Sequence, residues 1–278
     1  MISDEHLRAT LGGGDGVLNA RARFYQENAE YLREQVEGSE KSSYALDKAQ
    51  EAKGLVLEIG SGQGSFAGLG GADYCALDFS PSHLRTYLCG SRRICASAET
   101  IPLASKSCRL VFSFATFEHV PRADLAFAEV DRVLAPGGVA CLAPAWHCRD
   151  WAAEGLSVRR YHDLNFGQRI RKALIPLRDS VVYRGVQQLP WRMWRRATVI
   201  LRAVPSSLRY RPLKANYEHF WQSDSDACAS IDSHEGVLFF QSRRYEILEP
   251  RGGALRQLFF RAGPIIARKP FMSINARL

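Results

Sequence analysis

The sequence predicts an α/β fold built on a doubly wound, mostly parallel sheet, and three observations carry that prediction. From residue 54 onward short apolar runs alternate with helix-forming stretches, the pattern of a sheet covered by helices on both faces. The first run, Leu55-Val-Leu-Glu-Ile59, stops at Gly60, Gly62 and Gly64, where glycine allows a sharp turn and brings bare backbone close to a ligand. The second run, Tyr74-Cys-Ala-Leu-Asp-Phe79, ends on Asp78, eighteen positions after Gly60. A carboxylate at the tip of the neighbouring strand is placed to grip two ribose hydroxyls. Loop and acid together point to an adenosine-containing cofactor without saying which. The spacing G-x-G-x-G departs from the dinucleotide pattern, because Ser65 stands where its third glycine belongs.

In chain order, residues 1–19, with Gly12-Gly-Gly-Asp-Gly16, read as a lead-in or a loop over the site. Residues 20–37 place Phe24, Asn28, Tyr31, Leu32 and Gln35 at helical spacing, and Ser43 to Ala52 form a second helix. These make residues 1–53 an N-terminal helical segment. The first strand lacks clean alternation, as expected of a strand buried on both faces. The helix after Ser65 is short, since Gly68, Gly70 and Gly71 interrupt it. Ser80-Pro81 opens the helix after the second strand. Arg93 to Ala96 is a third strand and Leu110 to Phe114 a fourth. Arg122 to Leu134 is an amphipathic helix stopped by Pro136-Gly-Gly138, and Val139 to Ala143 is the fifth strand. Residues 54–145 thus form the cofactor-binding core.

Residues 146–222 break the alternation and are expected to form a basic, mostly helical insertion over the C-terminal ends of the strands. Between Arg169 and Lys214 stand twelve basic residues and one acid, Asp179, for a net charge of +11 against +8 for the whole chain. Apolar residues such as Trp191, Met193, Trp194 and Ile200 interleave with them. The segment reads either as a helical cap with a solvated basic face or as a surface for a phosphorylated or membrane-held acceptor. In the second reading Arg192, Arg195 and Arg196 face the acceptor entrance. Residues 223–278 complete the sheet. Ser223 to Asp226 is expected to cap a helix, Ser233 to Arg244 carries another, Tyr245 to Pro250 is a sixth strand and Gly263 to Arg268 a seventh.

Five ordered motifs sharpen the picture: Glu58-Ile-Gly-Ser-Gly-Gln-Gly64, Leu77-Asp-Phe-Ser-Pro81, Ser97-Ala-Glu-Thr-Ile-Pro-Leu103, Val111-Phe-Ser-Phe-Ala-Thr-Phe-Glu-His-Val120 and Val133-Leu-Ala-Pro-Gly-Gly138. Over residues 54–146 the chain resembles the class I S-adenosylmethionine-dependent methyltransferases, within them the small-molecule group. The resemblance implies seven strands, the last inserted antiparallel between the fifth and sixth, and S-adenosylmethionine as cofactor. It implies that Glu58 orients the loop and helps hold the methionine amino group. Gly60, Ser61, Gly62 and Gly64 then approach the methionine portion and ribose, Asp78 accepts from the ribose hydroxyls, and Phe79 lies against the adenine. Ala98 and Glu99 match the adenine edge, and Ala115 and Thr116 lie near the sulfonium. Where the family usually carries an acid before the fourth strand, this chain has Arg109. Trp221-Gln-Ser-Asp-Ser-Asp226 and Phe239-Phe-Gln-Ser-Arg243 are also similar to stretches of methyltransferases of bacterial polysaccharide and glycan pathways.

Methyl transfer requires alignment of acceptor and methyl group, and a hydroxyl acceptor also gains from a base. His119 is the first candidate base, and His162 with Asp163 a second pair; His219 beside Glu218 is a further one. The expected activity is methylation, chiefly at oxygen, of a small-molecule or glycan acceptor, one that is acidic or lipid-linked if the basic insertion meets it. N- or C-methylation in natural-product biosynthesis and a non-catalytic cofactor-binding module remain open. A pI near 9.2 suggests nucleic acid, but no Asn/Asp-Pro-Pro-Tyr/Phe stretch follows the fourth strand, so that partner is not expected. Seven cysteines without a C-x-x-C pair predict reduced thiols and no metal site. No apolar run is long enough to span a bilayer and Met1 to His6 lacks the features of a signal peptide. A cytoplasmic protein follows, with membrane-peripheral contact through the insertion. The oligomeric state stays open.

Overall fold

The computed structural model describes residues 47–48, 53–64, 66, 73–85, 92–202 and 204–271. The lead-in, the N-terminal helices apart from residues 47–48, and the helix expected after Ser65 lie outside the described residues. Seven strands form one sheet in the order β3-β2-β1-β4-β5-β9-β8. They are β1 Leu55–Ile59, β2 Asp73–Asp78, β3 Arg92–Cys95, β4 Cys108–Phe114, β5 Leu134–Ala143, β8 Glu246–Glu249 and β9 Ile265–Arg268. The first five run parallel, whereas β9 pairs antiparallel with both β5 and β8. This is the class I methyltransferase topology, with the last strand inserted where the sequence placed it.

Both faces of the sheet are buried, which explains the missing alternation. Leu57, Ile59, Cys75, Leu77 and Val111 point into one core, and Val56, Tyr74, Ala76, Leu110 and Phe112 into the other. On the first face Phe117, Phe127 and Phe239 meet edge to face. Each such fully buried aromatic contributes about 1.5–3 kcal/mol through the water it leaves. Helix α1 (Pro81–Arg85) opens on its proline, and α2 (Ala123–Val133) buries Ala126, Phe127, Val130 and Val133 on one face. The turn after α2 is tighter than the sequence suggests. The chain enters β5 at Leu134, so Pro136 to Gly138 lie inside the strand, at the register shift against β4.

The insertion is helical only in part. After turns over residues 150–158 come a 3-10 turn at Tyr161–Asp163, α3 Phe166–Ala173, α4 Ile175–Asp179 and α5 Val181–Arg202. A two-stranded antiparallel ladder then joins β6 (Tyr210–Pro212) to β7 (Ala229–Ile231), an element the sequence reading lacked. Ser223 to Asp226 do not cap a helix. Residues 223–226 form turns running into β7, because Ser225 bonds back to Gln222 and Ala152. Helix α6 follows at Ser233–Gln241, N-capped by Asp232, and α7 at Ala254–Phe259.

Candidate active site

The strand order reverses between β1 and β4, since the chain winds outward from β1 on one side and from β4 on the other. At such a switch the connections leave in opposite directions and open a crevice at the carboxyl ends of the strands. The glycine loop sits there. Gly60, Gly62 and Gly64 adopt φ of +76°, +54° and +91°, conformations that side chains with a Cβ resist. Backbone N–H groups of Gly60 and Ser61 donate to Leu77 O at 2.8 and 3.1 Å, lacing the loop to the end of β2. A Cβ on Gly60 would overlap the Thr116 side chain, while one on Gly62 would meet open space.

Asp78 completes the cradle. Its Oδ2 accepts from Gly62 N at 2.9 Å and its Oδ1 from Ser80 N at 2.8 Å, with His83 Nδ1 3.6 Å away. Each carboxylate oxygen accepts more than one hydrogen bond, so these backbone donors aim the carboxylate without exhausting it. Phe79, next in the chain, is half-buried. Glu58 lies buried one layer below and accepts from the Tyr74 hydroxyl. Burial, then the Asp78 charge, holds its carboxyl well above the usual range. Ala98 is buried, and Glu99 accepts from Arg122 N at 2.9 Å, at the mouth of α2. At the end of β4, Ala115 takes φ of +47°, a left-handed backbone that non-glycine residues adopt mainly at turns and functional sites. Thr116 Oγ1 donates to Phe114 O at 2.9 Å beside the first glycine.

The 3-10 turn Phe117–His119 carries a buried charged cluster. His119 Nδ1 lies 2.9 Å from Asp226 Oδ2, and its Nε2 lies 3.8 Å from Glu118 Oε1. Burial disfavours the imidazolium, but Asp226, with Glu118 and Asp224 behind it, outweighs burial and raises His119 to about 9. Glu118, fully buried, accepts from Ala145 N at 2.9 Å. Burial pushes it up to about 7 against the pull of His119. Two further bonds tie the turn to the β7 approach: Cys228 N donates to Glu118 O at 2.8 Å, and Cys228 Sγ to His119 O at 3.0 Å. No sequence pattern links Asp226 to His119. Its only signal was a turn-like Ser-Asp-Ser-Asp run, and the contact is made by the tertiary fold.

The other candidates sit differently. His162 and Asp163 pair with each other at 3.2 Å on the surface, the histidine side chain 70% exposed. His219 stacks on Trp221 with ring centroids 5.3 Å apart and is exposed, as is Glu218. The expectation that Arg192, Arg195 and Arg196 face an acceptor entrance is corrected. Arg192 and Arg195 are 4% and 5% exposed, paired with Asp232 at 2.6 Å and Glu235 at 2.9 Å. Arg196 reaches Gln257. Counting acids along the insertion alone missed those that α6 brings to it. Among the described residues no group of three His, Cys, Asp or Glu is arranged to hold a metal ion.

Residues 57–142 match a family model described as a methyltransferase domain. A malonyl-[acyl-carrier protein] O-methyltransferase of Methylococcus capsulatus is 36% identical over 94 residues, 30% of this chain and 34% of that protein. A protein of Mycobacterium ulcerans named "Probable phthiotriol/phenolphthiotriol dimycocerosates methyltransferase 2" is 32% identical over 127 residues, 40% of this chain and 49% of its own. The chain thus spans about a third to a half of the curated relatives it matches. A crystal structure of a SAM dependent methyltransferase from Aquifex aeolicus aligns with TM-score 0.38 and 15% identity, covering 44% of this chain and 74% of that one.

Proposed function

We propose, with residues 57–142 being a methyltransferase domain, that this chain transfers a methyl group from S-adenosylmethionine to an oxygen of a small-molecule or glycan acceptor. The observation that carries the reading is the Gly60–Gly64 loop laced to Asp78 at the topological switch. The fit of these residues to an adenosine cofactor is direct: an open approach over Gly62, a carboxylate held in place by two backbone donors, and no room for a side chain at Gly60. When bound, the cofactor supplies a sulfonium methyl group for in-line displacement. Asp78 takes the ribose hydroxyls, Phe79 flanks the adenine and Ala98 with Glu99 meets its edge. Glu58, held by Tyr74, fixes the strand end from which Gly60, Ser61, Gly62 and Gly64 approach the methionine portion. Ala115 and Thr116 stand at the methyl end.

His119, three residues beyond Thr116, takes the proton of the acceptor hydroxyl, with Asp226 holding its Nδ1. His162 and Asp163 are the second candidate pair for that step. The names of the two curated relatives, one a malonyl-[acyl-carrier protein] O-methyltransferase and one named for phthiotriol/phenolphthiotriol dimycocerosates, support a carrier-linked or similarly bulky acceptor within this class. Calorimetry with S-adenosylmethionine, S-adenosylhomocysteine and NAD tests the cofactor. Either sulfur nucleotide is expected to bind more tightly than NAD, and the reverse order overturns the reading. Incubation with panels of phenols, glycans, acyl thioesters and amines, read by product mass, then identifies the acceptor. Methylation confined to amines would replace oxygen by nitrogen.

A further inference from the structure

Helix α5 is turned inside out. Residues 192, 195 and 199 share one helical face, and that face points inward: Arg192 and Arg195 reach Asp232 and Glu235 at the start of α6, with Val199 buried beside them. The opposite face is apolar and lies in solvent. Met193 is 56% exposed, Trp194 53%, Ile200 65% and Leu201 83%, continued toward the helix start by Val182 and Val186. Ile170 on α3, Leu177 on α4 and Leu174 between the two helices are exposed as well, and α4 packs against α5 and α3 against α4. An ordinary surface helix turns its apolar stripe inward, and a contiguous outward one marks an interaction surface.

We propose that this outer face of α5, with the adjoining apolar side chains of α3 and α4, docks on an anionic lipid bilayer surface. The charge around the face selects that occupant. Arg202, the last residue of α5, and Arg209, just beyond it, are exposed and form no ion pair among the described residues, and Arg209 lies over the Trp191 ring at 6.0 Å. The one acid between residues 164 and 217, Asp179, is taken by Arg149 at 2.5 Å. Tryptophans at the boundary, aliphatic side chains pointing outward and a basic rim are what an interfacial helix presents to anionic headgroups. A second copy docking face to face would bring two such rims together with no free acid between them, a repulsive contact. No described helix is long and apolar enough to cross a membrane, so α5 lies on the surface.

Co-sedimentation with vesicles, joined to tryptophan emission, tests this. The protein binds vesicles of phosphatidylcholine containing about 30 mol% phosphatidylglycerol, with a blue shift of emission, and binds pure phosphatidylcholine at least about tenfold less, since each basic residue near the surface contributes severalfold. Raising salt to roughly 0.5 M weakens the attachment by screening the headgroups. Met193→Glu/Ile200→Glu lowers partitioning about tenfold or more, and Arg202→Glu/Arg209→Glu, which leaves the apolar face intact, lowers it on the anionic vesicles alone. Both variants keep the wild-type melting temperature and cofactor affinity, since these side chains touch neither core nor site. Wild-type protein that ignores anionic vesicles overturns the proposal, as does unchanged binding by the folded variants. A wild-type dimer in light scattering that Met193→Glu/Ile200→Glu dissociates, without vesicle binding, makes the face a subunit interface instead.

Discussion

Asp78 and His119 are each held by groups the fold supplies, and each makes a measurable prediction. Asp78→Ala weakens S-adenosylmethionine binding by about 1–3 kcal/mol in calorimetry, because it removes charged acceptors and leaves ribose hydroxyls unpaired. Unchanged affinity would separate Asp78 from the cofactor. His119 is protonated at neutral pH, with Asp226 holding it up to about 9, so a reaction using it as base accelerates as pH rises toward that value. Asp226→Asn removes the main support of the imidazolium. The rising limb of kcat then moves toward neutral pH while the cofactor's Kd stays put. His119→Ala lowers kcat roughly 10²–10⁴-fold, and a variant with near-normal turnover would pass the role to His162 and Asp163. A limb that does not move in Asp226→Asn would leave His119–Asp226 as a structural pair only. That pair stabilises the fold fully below the ordinary histidine pKa of 6.5 and loses the contribution as pH climbs through about 9.

Among the elements, α5 and the start of α6 are joined by two ion pairs, of which Arg195–Glu235 is buried on both sides. Breaking such a pair from one side leaves a buried charge without a partner, which costs about 3–5 kcal/mol, whereas replacing both partners by apolar groups of similar size is nearly neutral. Glu235→Gln therefore lowers the urea midpoint strongly, and Arg195→Met/Glu235→Leu recovers most of it. Equal midpoints for Glu235→Gln and wild type would place Arg195 in solvent. The helix after Ser233 and the helical character of the insertion that carries α5 were legible in the sequence. β1 follows from an apolar run with its glycine stop, β2 from an apolar run and α2 from its amphipathic spacing, and the parallel winding follows from their alternation. The β6–β7 ladder was not, because three-residue strands pairing across a long loop leave no periodicity to read.

For the molecule as a whole, acid stability turns on histidines buried neutral. His147 and His234 are both pushed down to about 4, chiefly by burial, with Arg192 adding to each and Asp232 opposing. His234 is fully buried, and neither ring nitrogen has a hydrogen-bond partner among the described residues. A folded pKa below the unfolded one means the unfolded chain binds more protons. The stability these residues give is complete above pH 6.5 and drains away as pH falls toward 4. In chemical denaturation between pH 7 and 4, His234→Leu flattens that slope by up to about 1.4 kcal/mol per pH unit, although the core must accommodate its shape. An unaltered slope would assign acid sensitivity to other groups.

The sequence by itself determined the sheet, its winding and the meeting of the glycine loop with Asp78, because these are local: a strand, the glycines that end it and the acid that ends its neighbour. The spacing of Gly60, Gly62, Gly64 and Asp78 pointed to an adenosine-containing ligand, and the resemblance carried by the five ordered motifs implied which one. Tertiary structure alone decided the fate of the charges. Asp226 meets His119, and Asp232 and Glu235 meet Arg192 and Arg195, between segments far apart in the chain. A charge count along the sequence sees twelve bases and one acid. Folding brings acids from α6 against the inner face of α5 and so turns the apolar face outward. No one-dimensional reading anticipates that, since burying a charge depends on which partner arrives, and the partner is chosen by the packing of the whole chain.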